Sequence, residues 1–217
     1  MKIICCTYRD WAKEIYTFLQ NHFKEHDFII INSKEEYSEK RIYDENPDLI
    51  LWYGWSWIIS EKILTTYYSV MLHPSPLPKY RGGSPIQNQI INGETESAVT
   101  LFKMDKGIDT GDIISQKPFS LYGNIPDIFE KITSIGIILS VSMIKNFSIL
   151  KLTPQDNSKA TYFKRRNPSQ SEITLEELCN STAKDIHNKI RVLQDPYPNA
   201  FIKCKDGTKL YLTKSYL

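Results

Sequence analysis

The sequence lacks the features that mark membrane-spanning, secreted and metal-binding proteins. No stretch approaches the ~18 uninterrupted apolar residues of a spanning helix, and the first residues, MKIICCTY, show no signal-peptide cleavage pattern. The four cysteines show neither CxxC spacing nor a histidine at metal-ligand spacing. We therefore expect a cytoplasmic protein with reduced thiols, no membrane partner and no metal ion, and with Cys5 and Cys6 buried in the first strand.

A strong charge of either sign is also absent. The chain has 27 lysines and arginines against 25 acidic residues, a net charge of +2, which is too mild to predict a nucleic-acid partner. No GxGxxG follows the first strand-like segment, so a dinucleotide cofactor has no support. A length of 217 residues, 41% of them hydrophobic, suits one globular domain of moderate size with a small appendage.

Strand-like and helix-like segments alternate along the first half of the chain. The strand-like segments are residues 2–8, 28–31 and 48–53. Apolar residues between 11 and 22 recur at helical spacing, and Ser33 with Glu36 has the spacing of a capping box for the next helix. This alternation predicts an α/β fold, a Rossmann-like and mostly parallel sheet flanked by helices.

The second half adds a long helix and a tail. Residues 125–149 are mostly apolar and predict a helix buried against the sheet. A polar, basic stretch over residues 157–170 marks a boundary between a core of residues 1–156 and a C-terminal appendage of residues 157–217. The appendage predicts a helix over residues 175–193 and a β-hairpin over 200–204 and 209–213, with Asp206-Gly207 as its turn.

The region over residues 69–114 carries the candidate chemistry. An apolar strand ends at His73-Pro74, because proline cannot continue a sheet ladder. Ser84 precedes a helix that ends near residue 91, and a strand over residues 98–104 leads into the polar turn 105–112. His73 at one strand end and Asp109 in that turn can meet over the sheet edge, which makes them a candidate acid/base pair.

The same region resembles a known family. HPSPLPKYRGGSPIQ, NGE and AVTLFKMDKGIDTGDII resemble the folate-dependent formyltransferases, and YFKRRNPSQSEI and IRVLQDPYPNAFIKCKDGTKLYL resemble the branch that formylates nucleotide-linked amino sugars. The resemblance implies that His73 is the catalytic histidine and Asp109 the catalytic aspartate. It also shows a departure, because the family usually carries an oxyanion-binding asparagine where this chain has Met71. Of the amides on the following helix, we favour Asn88 as its replacement.

The resemblance also implies two sets of ligand contacts. The residues expected to border the folate are Tyr53, Trp55, Gly107, Ile108 and Asp112. The residues expected to border the acceptor substrate are Lys79, Tyr80, Arg81, Gly82, Gly83 and Ser84. Trp55 and Trp57 could equally pack the corner after their strand. The cations of the loop and of Lys164-Arg165-Arg166 could equally be solvated.

The function implied is transfer of a formyl group from N10-formyltetrahydrofolate to the amine of a nucleotide-linked sugar, with a deoxythymidine diphosphate carrier preferred. The expected setting is the synthesis of a surface polysaccharide such as lipopolysaccharide O-antigen. His73 would act as general base and Asp109 would orient it.

Three alternatives remain open. A methionyl-tRNA formyltransferase is disfavoured by the short tail and the weak charge, and a glycinamide ribonucleotide formyltransferase by the tail motif. An inactive folate-binding module is favoured only by Met71. The hairpin edge is covered either by a second copy, giving a homodimer through the C-terminal region, or by a loop of the same chain.

Overall fold

A computed structural model describes all 217 residues of the chain. The strands lie at Lys2–Cys6 (β1), Asp27–Ile31 (β2), Leu49–Leu51 (β3), Ser69–His73 (β4), Arg81–Gly82 (β5), Glu96–Lys103 (β6), Ile113–Ser120 (β7), Tyr162–Phe163 (β8), Ala200–Lys203 (β9) and Lys209–Leu212 (β10). The α-helices lie at Asp10–His22 (α1), Glu39–Glu45 (α2), Glu61–Thr66 (α3), Pro85–Ile91 (α4), Ile125–Lys145 (α5), Leu175–Asn180 (α6) and Ala183–Val192 (α7). Three short 3₁₀ turns lie at Phe147–Ile149, Asn157–Lys159 and Pro168–Ser171.

The central sheet has six strands in the order β2-β1-β3-β4-β6-β7. The first four are parallel to one another, and β6 and β7 complete the sheet in antiparallel fashion. This confirms the predicted α/β fold with a mostly parallel sheet. Because the chain moves from β1 to β2 on one side and then to β3 on the other, the topological switch point lies between the carboxyl ends of β1 and β3.

The sheet buries a hydrophobic cluster on each of its faces. A cluster of 30 buried residues lies on the side of α1 and α5, and one of 10 lies on the opposite face. Alternate residues of β1 face the two sides, so that Cys5 joins the larger cluster and Cys6 the smaller. Both thiols are buried as predicted, and burial raises the pKa of each.

The C-terminal residues pack on the same core. Ile190, Leu193 and Ala200 belong to the larger hydrophobic cluster, and β8 pairs with β5. Arg191 Nη1 donates to the carbonyl oxygens of Leu121 (2.8 Å) and Gly123 (2.6 Å). The tail is therefore attached to the core by apolar packing, strand pairing and partly buried hydrogen bonds.

Of the two elements predicted for the tail, the hairpin is confirmed and the single helix is not. The hairpin forms, as β9 and β10. The single helix predicted over residues 175–193 is wrong, because Thr182 interrupts it. Its hydroxyl accepts from the backbone N–H of Asp185, whose carboxylate in turn accepts from the backbone N–H of Thr182, a capping box that starts a second helix, α7.

The capping box predicted at Ser33 is also wrong. Helix α2 begins at Glu39, and the side chain of Ser38 caps it by accepting from the N–H of Arg41. Ser33 does accept from the N–H of Glu36 (3.3 Å), but the bond closes an isolated turn ahead of the helix.

One boundary differs from the prediction at the far side of the sheet, where strand β7 pairs with β6 along its length. Helix α5 ends at Lys145 and continues as a 3₁₀ turn. None of the helices combines the length and the apolar character needed to cross a membrane.

Candidate active site

His73 lies at the carboxyl end of β4 and is buried. Its Nε2 lies 2.8 Å from the carbonyl oxygen of Tyr80. Because a carbonyl oxygen only accepts, Nε2 must carry a proton, and in the neutral ring Nδ1 is then the acceptor. Tyr80 therefore sets the tautomer of His73. The sequence-based expectation was that a carboxylate would do so.

Asp109 lies in the turn between β6 and β7, in the left-handed conformation with φ of 54°. Its Oδ2 accepts from the backbone N–H of Gly82 (2.7 Å) and lies 3.6 Å from His73 Nδ1. The structure thus brings together the two residues that the sequence paired. A separation of 3.6 Å is too long for a direct hydrogen bond, but a donor placed between the two atoms would reach both.

Arg81 was expected at the substrate, and the structure places it in the interior instead. Its side chain is fully buried. Nε and Nη2 donate to Gln155 Oε1 (3.1 and 2.8 Å), Nη2 also donates to Asn157 Oδ1 (2.9 Å), and Nη1 donates to the hydroxyl of Tyr162. All three guanidinium nitrogens are therefore occupied by neutral oxygens of the segment 155–162, and none is free for a ligand.

Gly82 and Gly83, which follow Arg81, allow the residues around β8 to pack closely against the loop. A Cβ on Gly82, whose φ is 94°, would lie 2.3 Å from the carbonyl oxygen of Phe163, and one on Gly83 would lie 2.4 Å from Arg165 Cα. The close approach that these glycines permit is therefore that of the chain's own β8, and the expected approach of a ligand is not needed to explain them.

The other loop residues have mixed positions. Tyr80 stacks on Phe163 with centroids 4.8 Å apart and donates its hydroxyl to Glu94, so its side chain is committed to packing. Ser84 accepts from the N–H of Arg166 (3.1 Å) and makes no hydrogen bond that caps α4. Lys79 is exposed, and it remains the one predicted cation of this loop that can meet a ligand.

Asn88, the predicted oxyanion donor, lies on α4 and is buried. Its Nδ2 donates to the carbonyl oxygen of Gly83 (2.9 Å), and it shares no hydrogen bond with His73 or Asp109. Its role at the oxyanion stays a prediction, which this contact does not support.

The five residues expected at the folate divide into buried and exposed ones. Tyr53 is fully buried against α5, with its hydroxyl 2.9 Å from Ser140 Oγ, so its side chain cannot reach a ligand. Trp55 packs against Trp52 in the smaller hydrophobic cluster. Gly107, Ile108 and Asp112 lie in the turn of Asp109, and the Ile108 side chain is 64% exposed.

A group of aromatic and cationic side chains, which sequence reasoning did not bring together, surrounds the switch point. Its members are Tyr8, Arg9, Ser56, Arg165 and Tyr197, called the switch-point cluster below. The guanidinium of Arg9 lies 4.5 Å from the ring centroid of Tyr8 and 5.4 Å from that of Tyr197. Arg165 Nη2 donates to Ser56 Oγ, which also contacts the Tyr8 hydroxyl.

The switch-point cluster has an excess of positive charge. The ion pairs of the molecule include neither Arg9 nor Arg165. Burial raises the pKa of Tyr8, but the hydrogen bond with Ser56 and the two arginine charges outweigh it and lower the pKa overall. This environment favours an anion. Arg165 was visible in the sequence as part of a basic run, whereas Tyr8 and Tyr197 gave no signal because 189 positions separate them.

The chain matches the formyl transferase family over residues 14–123, a range that includes His73 and Asp109. The methionyl-tRNA formyltransferase of Orientia tsutsugamushi (strain Boryong) is 39% identical over 160 residues, which are 72% of this chain and 50% of that protein. The solved methionyl-tRNA formyltransferase from Clostridium thermocellum has a TM-score of 0.84 at 32% identity, covering 97% of this chain and 96% of that one. A solved sugar N-formyltransferase from Shewanella sp FDAARGOS_354 has a TM-score of 0.79 at 18% identity, covering 99% and 97%, and shows the likeness of fold alone.

The chain belongs to the formyl transferase family. Members of this family take the formyl group from N10-formyltetrahydrofolate. The chain spans about half the length of the curated relatives it matches, from 50% to 60% for those compared.

Proposed function

We propose that this protein is a folate-dependent N-formyltransferase in which His73 Nδ1 takes the proton from the acceptor amine. The observation that carries the proposal is the convergence of His73 Nδ1 and Asp109 Oδ2, 3.6 Å apart, in a chain of the formyl transferase family. Two acceptors that face one point suit an amine, which brings two or three N–H donors.

The surroundings of the pair suit a flat, polar heterocycle such as that of the folate. Ile58 and Ile108 are 93% and 64% exposed. These exposed apolar side chains would pack against the cofactor, which would supply the formyl carbon.

The proton path follows from the hydrogen bonds. Nδ1 of the neutral ring accepts the amine proton as the new C–N bond forms. The resulting imidazolium is stabilised by Asp109 on one side and by the carbonyl of Tyr80 on the other. The proton on Nδ1 is then available to the leaving nitrogen, so that His73 ends neutral.

The acceptor that we propose is a nucleotide-linked amino sugar in the cytoplasm. The switch-point cluster supports it, because Arg9 and Arg165 suit a diphosphate and the rings of Tyr8 and Tyr197 suit a base or a sugar face. The second candidate is methionyl-tRNA, which the 39% identity to a methionyl-tRNA formyltransferase favours. Both acceptors carry phosphate and a primary amine, so the arginines alone do not separate them.

The test is an acceptor panel with N10-formyltetrahydrofolate, in which nucleotide-linked amino sugars and methionyl-tRNA are assayed side by side by mass spectrometry. In the same assay, Arg165→Ala should raise the KM for the preferred acceptor about tenfold, the effect of losing one charge-assisted hydrogen bond. Lys164→Ala, an exposed neighbour in the same basic run, is the matched control. Formylation of methionyl-tRNA alone would replace the sugar proposal by the second candidate.

A further inference from the structure

A chain of hydrogen bonds leads from the buried Arg81 to the turn that holds Asp109. Its middle member is Gln155, which follows the isolated bridge between Ile113 and Thr153. That bridge has two backbone hydrogen bonds, of 2.8 and 2.9 Å, and it places the segment ahead of Gln155 beside the start of β7.

The side-chain amide of Gln155 makes hydrogen bonds through both its oxygen and its nitrogen. Its Oε1 accepts from Nε and Nη2 of Arg81 (3.1 and 2.8 Å). Its Nε2 donates to the backbone carbonyl oxygens of Asp109 (3.0 Å) and Gly111 (2.6 Å). Each of the two amide hydrogens therefore holds one carbonyl of the same turn.

Asp109 has a backbone conformation that residues other than glycine adopt infrequently. Its φ of 54° is unfavourable for a residue with a Cβ. The carboxylate is fixed by the N–H of Gly82, the residue that follows Arg81. Arg81 and its neighbour thus hold the turn from two sides, the carboxylate directly and the backbone through Gln155.

We propose that Gln155 is a positioning residue for catalysis, and that Arg81 acts through it. The buried guanidinium polarises the amide of Gln155, which strengthens its two donor bonds. These bonds keep Asp109 in the left-handed conformation that directs its carboxylate at His73 Nδ1. Gln155 touches no reacting atom in this arrangement. The inference rests on the proposed function, in that the turn matters for activity only if Asp109 takes part.

The test is Gln155→Glu. The substitution keeps the shape and the oxygen that accepts from Arg81, and an Arg81–Glu pair should preserve folding. It removes both donors to the turn and adds an anion beside Asp109. We expect kcat to fall by about 10²-fold, as for a small misplacement of a catalytic group. The acidic limb of the pH profile should move to higher pH, because the added carboxylate favours the protonated form of the catalytic base. Because the added anion alone can move that limb, the distinguishing readout is kcat at the pH optimum, which a residue that only stabilised the fold would leave unchanged at temperatures well below the melting temperature.

A second readout needs no acceptor. Hydrogen exchange of the turn over residues 105–112, followed by mass spectrometry on the full chain, should be about tenfold faster in Gln155→Glu than in the wild type, with a similar melting temperature. The matched control is Gln194→Glu, since Gln194 Nε2 also donates to a backbone carbonyl, that of Thr213, but in the tail.

The outcomes separate the two claims. Faster exchange in the turn of an enzyme that formylates no acceptor would keep Gln155 as the support of the turn and reject the proposed function. Unchanged exchange, or an active enzyme whose kcat and pH profile are unaltered by Gln155→Glu, would overturn the positioning role.

Discussion

At the residue scale, Met71 is where the resemblance to the family implies an asparagine that this chain lacks. It lies two residues before His73 on β4, and alternate residues of a strand share a face, so Met71 and His73 point to the same side of the sheet. Its side chain packs against the smaller hydrophobic cluster. A thioether offers no hydrogen-bond donor to a developing oxyanion.

We predict that Met71→Asn raises kcat about tenfold or more, because an oxyanion donor is worth 10²–10³ in rate in other enzymes. The measurement is kcat at saturating donor and acceptor. Met71→Leu is the control, since it keeps an apolar side chain. Equal kcat in the two variants would show that another group already binds the oxyanion.

The sequence predicted that His73 and Asp109 lie close together, as they do, but it did not predict that Arg81 is buried. The pair was predictable because each residue ends or follows a strand of the same sheet. The burial of Arg81 was not, because its partners Gln155, Asn157 and Tyr162 come from a segment some 75 positions away, and no local pattern announces that they converge on it.

At the element scale, the pairing of β5 with β8 supports both the catalytic loop and the basic segment 164–166. The pairing register places Gly82 opposite Phe163. Neither strand was predicted, because a two-residue strand has no periodicity to read. By contrast β1 and β4, with longer apolar runs, were predicted close to their observed bounds.

We predict that Gly82→Ala destabilises the protein by roughly 1–3 kcal/mol more than Gly93→Ala. Both glycines have positive φ, of 94° and 83°, so the backbone strain is shared. Only at Gly82 would the Cβ meet backbone, the carbonyl oxygen of Phe163, while at Gly93 nothing lies within 4 Å. Urea unfolding midpoints at equal m-value measure the difference. Equal midpoints for Gly82→Ala and Gly93→Ala would show that β8 shifts to admit the Cβ without a measurable loss of stability.

At the scale of the whole molecule, the tail packs directly on the core. The residues after position 157 were predicted to form a small appendage, and they share the larger hydrophobic cluster and several hydrogen bonds with the core. Composition marked the change of segment at residue 157, but it could not show how much apolar surface the two parts bury together.

We predict that Arg191→Ala lowers the unfolding midpoint of the core. It removes two charged hydrogen bonds to Leu121 and Gly123, at a cost of about 2 kcal/mol. All four tryptophans lie within residues 11–57, so tryptophan fluorescence reports the core alone. Lys184→Ala, on the exposed side of the same helix, is the control. If Arg191→Ala leaves the midpoint of the fluorescence transition unchanged, the tail unfolds independently of the core.

The most direct test of the account is a formyl-transfer assay of His73→Ala with N10-formyltetrahydrofolate and the preferred acceptor, beside the wild type. His22→Ala, a change on the exposed face of α1, serves as the matched control. We predict that His73→Ala loses about 10²–10⁴-fold in kcat, the usual contribution of a general base, and that His22→Ala retains full activity. Full activity in His73→Ala would contradict the assignment of the base.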